Sequence, residues 1–154
     1  MDLPEIADFR YRIPIRVRTF DVDSQGIVHN AVYLQYFEIG RVEYIREFEY
    51  KIDKNGIFNN ELKVVVVNNT INYHFPAFLD DSLNVYTRIK WIKNSSFCFE
   101  HVIENDTTKQ ILCSGSGILV NLNIETNLPE PLGEKFIRLI SDFENKLEIL
   151  TEND

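Results

Sequence analysis

The segment Arg18-Thr-Phe-Asp21-Val-Asp23-Ser-Gln-Gly26-Ile-Val-His29-Asn30 sets two carboxylates, a glycine and a histidine just ahead of a long apolar run. A carboxylate beside the start of a helix can attack an electrophilic carbonyl or act as general base on water. The unpaired N–H groups of a helix's first turn stabilise the negative charge that such a reaction builds on oxygen. Taken alone, Asp21 and Asp23 are equally good turn residues, because aspartate accepts hydrogen bonds from nearby backbone N–H groups. Gly26 supplies a conformation with φ > 0 or a close backbone approach to a ligand. His29 is a candidate for contacting substrate or placing a water.

The elements that must hold these residues are legible as patterns. Residues 9 to 19 alternate, with Phe9, Tyr11, Ile13, Ile15 and Val17 on one face and Arg10, Arg12, Arg16 and Arg18 on the other. That is a strand with one buried face. Residues 20 to 29 read as a loop. Residues 30 to 49 contain no proline and predict a helix, with Asn30 as its N-cap. Tyr33, Leu34, Phe37, Tyr44, Ile45 and Phe48 share a broad face, widened by Val32, Tyr36 and Ile39, so the helix should be surrounded by protein. A loop over 51–62 follows. Four strands come next, at about 65–75, 83–91, 97–103 and 110–122, with a hairpin turn at Asp106–Lys109. Val65, Val67, Ile71, Tyr73 and Phe75 are expected on one face of the first of these, and Leu83, Val85, Ile89 and Trp91 on one face of the second. Gly115 and Gly117 invite close packing by a helix or a ligand. Pro129 and Pro131 introduce an amphipathic helix over 133–150. Consecutive strands favour antiparallel pairing, and the place of the first strand stays open.

Composition limits the functions on offer. The 154 residues suit one domain with a real core, and 44% are hydrophobic. A net charge of −8 argues against nucleic acid as a partner. The longest aliphatic stretch, Val64 to Val67, is strand-sized, so no membrane span is expected. The N-terminus lacks a signal-peptide pattern, and a cytoplasmic location is the expectation. Cys98 and Cys113 are too few for a disulfide framework or a zinc motif, and His74 and His101 lack metal-ligand spacing. No metal is expected, and both thiols read as reduced and packed.

The pattern Asp21-x-Asp23-x-x-Gly26-Ile27-Val28-x-x-x-x-Tyr33-x-x-x-Phe37-Glu38-x-x-Arg41 resembles the signature of 4-hydroxybenzoyl-CoA thioesterase-type proteins. These are acyl-CoA thioesterases of the hotdog fold. The resemblance implies an α+β fold in which a curved antiparallel sheet wraps a long central helix. It implies a homodimer or homotetramer with the active site between subunits. It also implies catalysis by Asp23 and an oxyanion donor at the backbone N–H of Asn30. Coenzyme A is then part of the substrate and no further cofactor is needed. A common variant of the signature carries a histidine straight after the glycine. Here Ile27 stands there and His29 comes two places later, so that variant's substrates do not carry over.

Further residues have two readings each. Tyr33 lines an acyl pocket or is plain core. Glu38 and Arg41 lie three apart on the helix and can pair. Either they form a buried ion pair locking helix to sheet or subunit to subunit, or Glu38 belongs to the acyl pocket. Lys90 and Lys93, or the arginine face of the first strand, are candidates for the coenzyme A phosphates, and Ser114 to Gly117 for its pantetheine arm. The leading function is hydrolysis of an acyl-CoA thioester. A non-catalytic hotdog module that binds acyl thioesters or serves in an assembly is the alternative. A dehydratase on the same fold lacks its histidine-centred motif here.

Overall fold

The computed structural model describes residues 3–150. Strand β1 (Tyr11–Arg16) shows the predicted alternation. A 3-10 turn at Thr19–Asp21 and a tight loop lead into helix α1 (Val32–Glu47). Then come β2 (Lys63–Tyr73), β3 (Ser82–Ile92), β4 (Ser96–Asn105) and β5 (Ile111–Leu122). Helix α2 (Glu134–Phe143) and a two-residue strand β6 (Glu148–Ile149) end the described chain. The strands form one sheet in the order β1-β3-β4-β5-β2, all antiparallel, with β6 joining β3 in parallel. The architecture is α+β, an unclosed sheet curving around α1. Strand β1, whose place the pattern left open, pairs with β3 through Tyr11–Arg16.

Burial of α1 explains its composition. Val32, Tyr33, Tyr36, Phe37, Gly40, Tyr44 and Ile45 are all buried. Phe37 stacks on His101 at 4.5 Å between ring centroids. The same ring lies over Gly115, where an added Cβ would come within 2.7 Å of Phe37 and 2.5 Å of the Thr70 carbonyl oxygen. The close packing expected at Gly115 is therefore with the helix and with β2, not with a pantetheine arm. Ile39, expected on the apolar face, is instead exposed.

Two bulges break the expected faces. In β2, Val66 pairs with Leu119 and Asn68 with Ile118, so Val67 is an extra residue. Cross-strand partners share a face. Val65 opposes Val120 while Ile71 and Tyr73 oppose Gly115 and Cys113, which puts Val65 on the outer face and the other two on the inner one. In β3 the extra residue is Lys90. Ile92 takes the inner position opposite Phe97, and Trp91 turns outward opposite Cys98. Such insertions carry no signature in side-chain hydrophobicity.

The terminal helix is shorter than its apolar pattern. Glu144 leaves helical geometry at ψ 141 and drives its side chain inward. Its Oε2 accepts the Tyr44 hydroxyl at 2.5 Å and the Ile89 N–H at 2.8 Å. Burial pushes this carboxyl above its ordinary pKa. Both cysteines are free and buried, and burial raises their pKa values, to about 11 at Cys98 and about 12 at Cys113. Neither supplies a thiolate nucleophile at neutral pH.

Candidate active site

Loop 18–31 is built around two aspartates with opposite surroundings. Asp21 is 2% exposed. It accepts the Arg18 backbone N–H at 3.0 Å, the Arg18 Nε and Nη2 at 3.2 and 3.1 Å, and the Tyr36 hydroxyl at 2.8 Å. Burial alone would raise this carboxyl's pKa, but those donors outweigh it and hold it below the usual range. Asp21 therefore ties the end of β1 to α1, which is a structural role. Because its folded pKa is depressed, its contribution is present above the unfolded value of about 4 and fades as pH falls through the lower folded value. Asp21→Asn should cost about 1–3 kcal/mol near pH 7, through donors left poorly matched. Denaturant titrations at pH 7 and pH 3 check this, with a smaller difference from wild type at pH 3.

Asp23 opens a four-residue turn. Gly26 N–H donates to its carbonyl at 3.0 Å, its own N–H donates to Ile27 O at 2.9 Å, and Gln25 N–H donates to its Oδ1 at 2.7 Å. Gly26 sits at φ +81°, a left-handed conformation glycine adopts without strain. An added Cβ there would touch nothing, so the need is conformational. Among the described residues no donor reaches the second carboxylate oxygen of Asp23.

The helix entry differs from the expected Asn30 cap. The N-cap position falls on Ala31, without a side-chain cap. His29 does the work instead: its Nδ1 accepts the Ala31 N–H at 3.0 Å and its carbonyl accepts the Val32 N–H at 2.9 Å. His29 thereby shapes the turn and does not line the cleft below. The Asn30 N–H has no acceptor among the described residues.

Asp23 and Asn30 line one cleft of about 460 Å³. Tyr33 forms its buried wall, its hydroxyl accepting the Ala77 N–H at 3.1 Å. Burial raises the Tyr33 pKa, so the phenol stays protonated. The end of β2 and the residues after it complete the cleft with Tyr73, His74, Phe75 and Pro76. Tyr73 donates its hydroxyl to the Asn30 carbonyl at 2.8 Å and packs edge-on against Tyr33. His74, read from sequence as ordinary, pairs its Nε2 with the Ser114 hydroxyl at 3.0 Å and belongs to this lining. Neither Tyr73 nor His74 is near the motif in sequence. Only the return of β2 beneath the helix mouth brings them there.

The profile of the Thioesterase-like superfamily matches residues 17–140. The chain belongs to that superfamily. Its relatives include the acyl-CoA thioesterase YbgC of Haemophilus influenzae, 33% identical over 102 residues, which make up 66% of this chain and 74% of that one. Among solved structures, a Thermus thermophilus thioesterase complexed with coenzyme A and Zn has a TM-score of 0.71 at 30% identity, covering 86% of this chain and 98% of that one. The 1,4-dihydroxy-2-naphthoyl-CoA thioesterase of Synechocystis shares the fold, with a TM-score of 0.78 at 20% identity over 86% of this chain and 96% of that one. The sheet and central helix of this thioesterase-like protein are the hotdog arrangement of these neighbours.

Other residues singled out in the thioesterase-like sequence lie elsewhere. Glu38 and Arg41 line a second cavity, of about 350 Å³, farther along α1. Of the two readings of this pair, the ion pair is not formed within the protomer: Glu38 is exposed and acts on Arg41 only at a distance. Lys90 and Lys93 lie at the far end of β3, whose start adjoins the Asp23 loop. Eight residues of strand put Lys90 roughly 26 Å away. Lys93 rests over the Trp91 ring. The arginines of β1 are engaged too. Arg10 donates to Phe143 O, Arg12 to the Tyr86 hydroxyl and Arg16 to Asp80, and Arg18 holds Asp21. Among the described residues no helix is long and apolar enough to cross a membrane.

Proposed function

We propose that this protein hydrolyses acyl-CoA thioesters to a free carboxylic acid and coenzyme A. The observation that carries the reading is the shared cleft. It is lined by Asp23, whose second carboxylate oxygen has no donor among the described residues, and by Asn30 at the mouth of a 16-residue helix, whose N–H has no acceptor among them. The thioester carbonyl oxygen points at the Asn30 N–H, where the helix dipole favours negative charge. As general base, Asp23 takes a proton from water as hydroxide adds to the carbonyl carbon. The tetrahedral adduct collapses, the C–S bond breaks, and the thiolate recovers the proton from Asp23. As nucleophile, Asp23 adds directly and expels the thiolate, and water then cleaves the mixed anhydride. In both routes coenzyme A leaves as part of the substrate, with no separate cofactor.

The proposed assembly is a homodimer or a dimer of dimers, with the active site between subunits. Strand β2 ends the sheet and leaves Val65, Val66 and Val67 exposed, Val67 by 58%. A bare apolar edge of this kind pairs readily with another strand. Val66→Lys should shift the protein toward monomer in sedimentation velocity runs and lower turnover with it. An unchanged sedimentation coefficient counts against β2 as the contact.

Incubation with acyl-CoAs and a thiol-reactive dye tests the activity. Dye conversion that depends on Asp23 is the expected result. Acyl-CoA binding without thiol release would assign the chain to a ligand-holding module instead.

A further inference from the structure

The second cavity has mainly apolar walls, with Glu38, Arg41, Asn55 and Lys63 as its polar lining. Ile45, Phe58, Leu62, Phe97, Phe99 and Leu119 wall it, between the second half of α1, the start of β2 and the 52–62 loop. Arg41 projects among them. It has no hydrogen bond and no ion pair among the described residues, and burial lowers its pKa while exposed Glu38 raises it only at a distance. Arg41 is half-buried, and a guanidinium partly withdrawn from water among apolar walls is stabilised by a ligand that brings an opposite charge. The guanidinium fork matches a carboxylate in two parallel hydrogen bonds. Lys63 also lines the cavity, so Arg41 and Lys63 against Glu38 leave one net positive charge.

The cavity lies farther along α1 than the Asp23 cleft. Leu34, Glu38, Arg41 and Ile45 follow at steps of four, three and four, one face of α1, and Asn30 lies just ahead of the helix's N-cap. Asn30 lines the first cavity, and Glu38, Arg41 and Ile45 line the second.

We infer that this cavity receives the far end of the acyl group and that Arg41 selects acyl chains ending in a carboxylate. The inference rests on the thioesterase reading above and adds the class of acyl group to it. Arg41 lies nine residues past Val32, or about 14 Å along the helix axis. An extended covalent chain advances about 1.2 Å per bond, from its reach per residue. The preferred substrates are therefore thioesters of aliphatic dicarboxylic acids with about ten to twelve carbons. Their methylene shaft lies on Ile45, Phe58 and Leu119, and the terminal carboxylate meets the fork.

The test compares decanoyl-CoA with the mono-CoA thioester of decanedioic acid, matched in length. Wild-type protein should turn over the dicarboxylic thioester with a kcat/KM about tenfold higher or more, a preference within reach of a charge-assisted hydrogen-bond pair. Arg41→Met should erase or reverse that preference, and Arg41→Lys should retain part of it. Calorimetry on Asp23→Asn protein, whose turnover is slowed about a hundredfold or more, should show the same preference in affinity. Wild-type protein that favours decanoyl-CoA, or Arg41→Met protein that loses both substrates equally, overturns the assignment. If thiol release still depends on Asp23 in that case, the thioesterase reading stands. If no thioester is cleaved, that reading falls, and the calorimetric preference alone decides the role of Arg41.

Discussion

Asp23→Asn is expected to lower kcat for thioester hydrolysis by about 10²–10⁴-fold, the range a positioned base supplies. The amide cannot accept a proton from water or attack a carbonyl, yet its oxygen can still accept the Gln25 N–H that shapes the turn. The loop, the Gly26 conformation and the Asn30 N–H should all survive. Melting temperature should therefore move by no more than a degree or two, and KM should change little, because the carboxylate acts in the transition state more than in substrate binding. Thiol-release kinetics and a thermal melt on the same preparation provide the check. Turnover within threefold of wild type would remove Asp23 from the chemistry. The contrast with Asp21, two residues away, sharpens the experiment: asparagine there should cost stability, whereas at Asp23 it should cost rate.

Phe37→Ala is expected to be the most destabilising single truncation near the site, at about 3–5 kcal/mol. Total stabilities of domains this size run to about 5–15 kcal/mol. The ring is 1% exposed, stacks on His101 and fills the space that Gly115 leaves open. Its loss leaves a void between α1 and the sheet that neighbouring backbone cannot collapse into. It also uncovers His101, whose Nε2 is buried with no hydrogen bond among the described residues and whose pKa burial, then the Arg41 charge, hold well below the ordinary value. Chemical denaturation should show the midpoint falling with little change in slope. A loss under 1 kcal/mol would mean that α1 is not seated on β5 as described.

Much of this was legible before folding. The alternation in β1, the length and apolarity of α1 and the four successive strands follow from residue type, because side-chain period and burial are linked directly. The motif from Asp21 to Arg41 located the Asp23 cleft for the same local reason: turn, glycine and helix start are contiguous. The remainder depended on pairings between distant segments. Tyr73 and His74 reach the cleft through the register of β2 on β5, which no local pattern encodes. Lys90 looked suitable by charge, but its distance from Asp23 is set by the direction of β3. Helix α2 carries apolar spacing beyond Phe143, yet Glu144 finds Tyr44 and Ile89 in the core and ends it. The cap at the mouth of α1 passed from Asn30 to His29, since ring geometry decides which nearby side chain reaches the first N–H groups.

The supernumerary Val67 gives β2 an unusual freedom. In a regular strand, losing one residue rotates everything downstream to the opposite side. Here Val66 and Asn68 already point in opposite directions, as immediate neighbours do. Excising Val67 would leave Ile71 and Tyr73 where they are, so a shortened descendant could keep its cleft intact while presenting a straighter rim to whatever lies alongside.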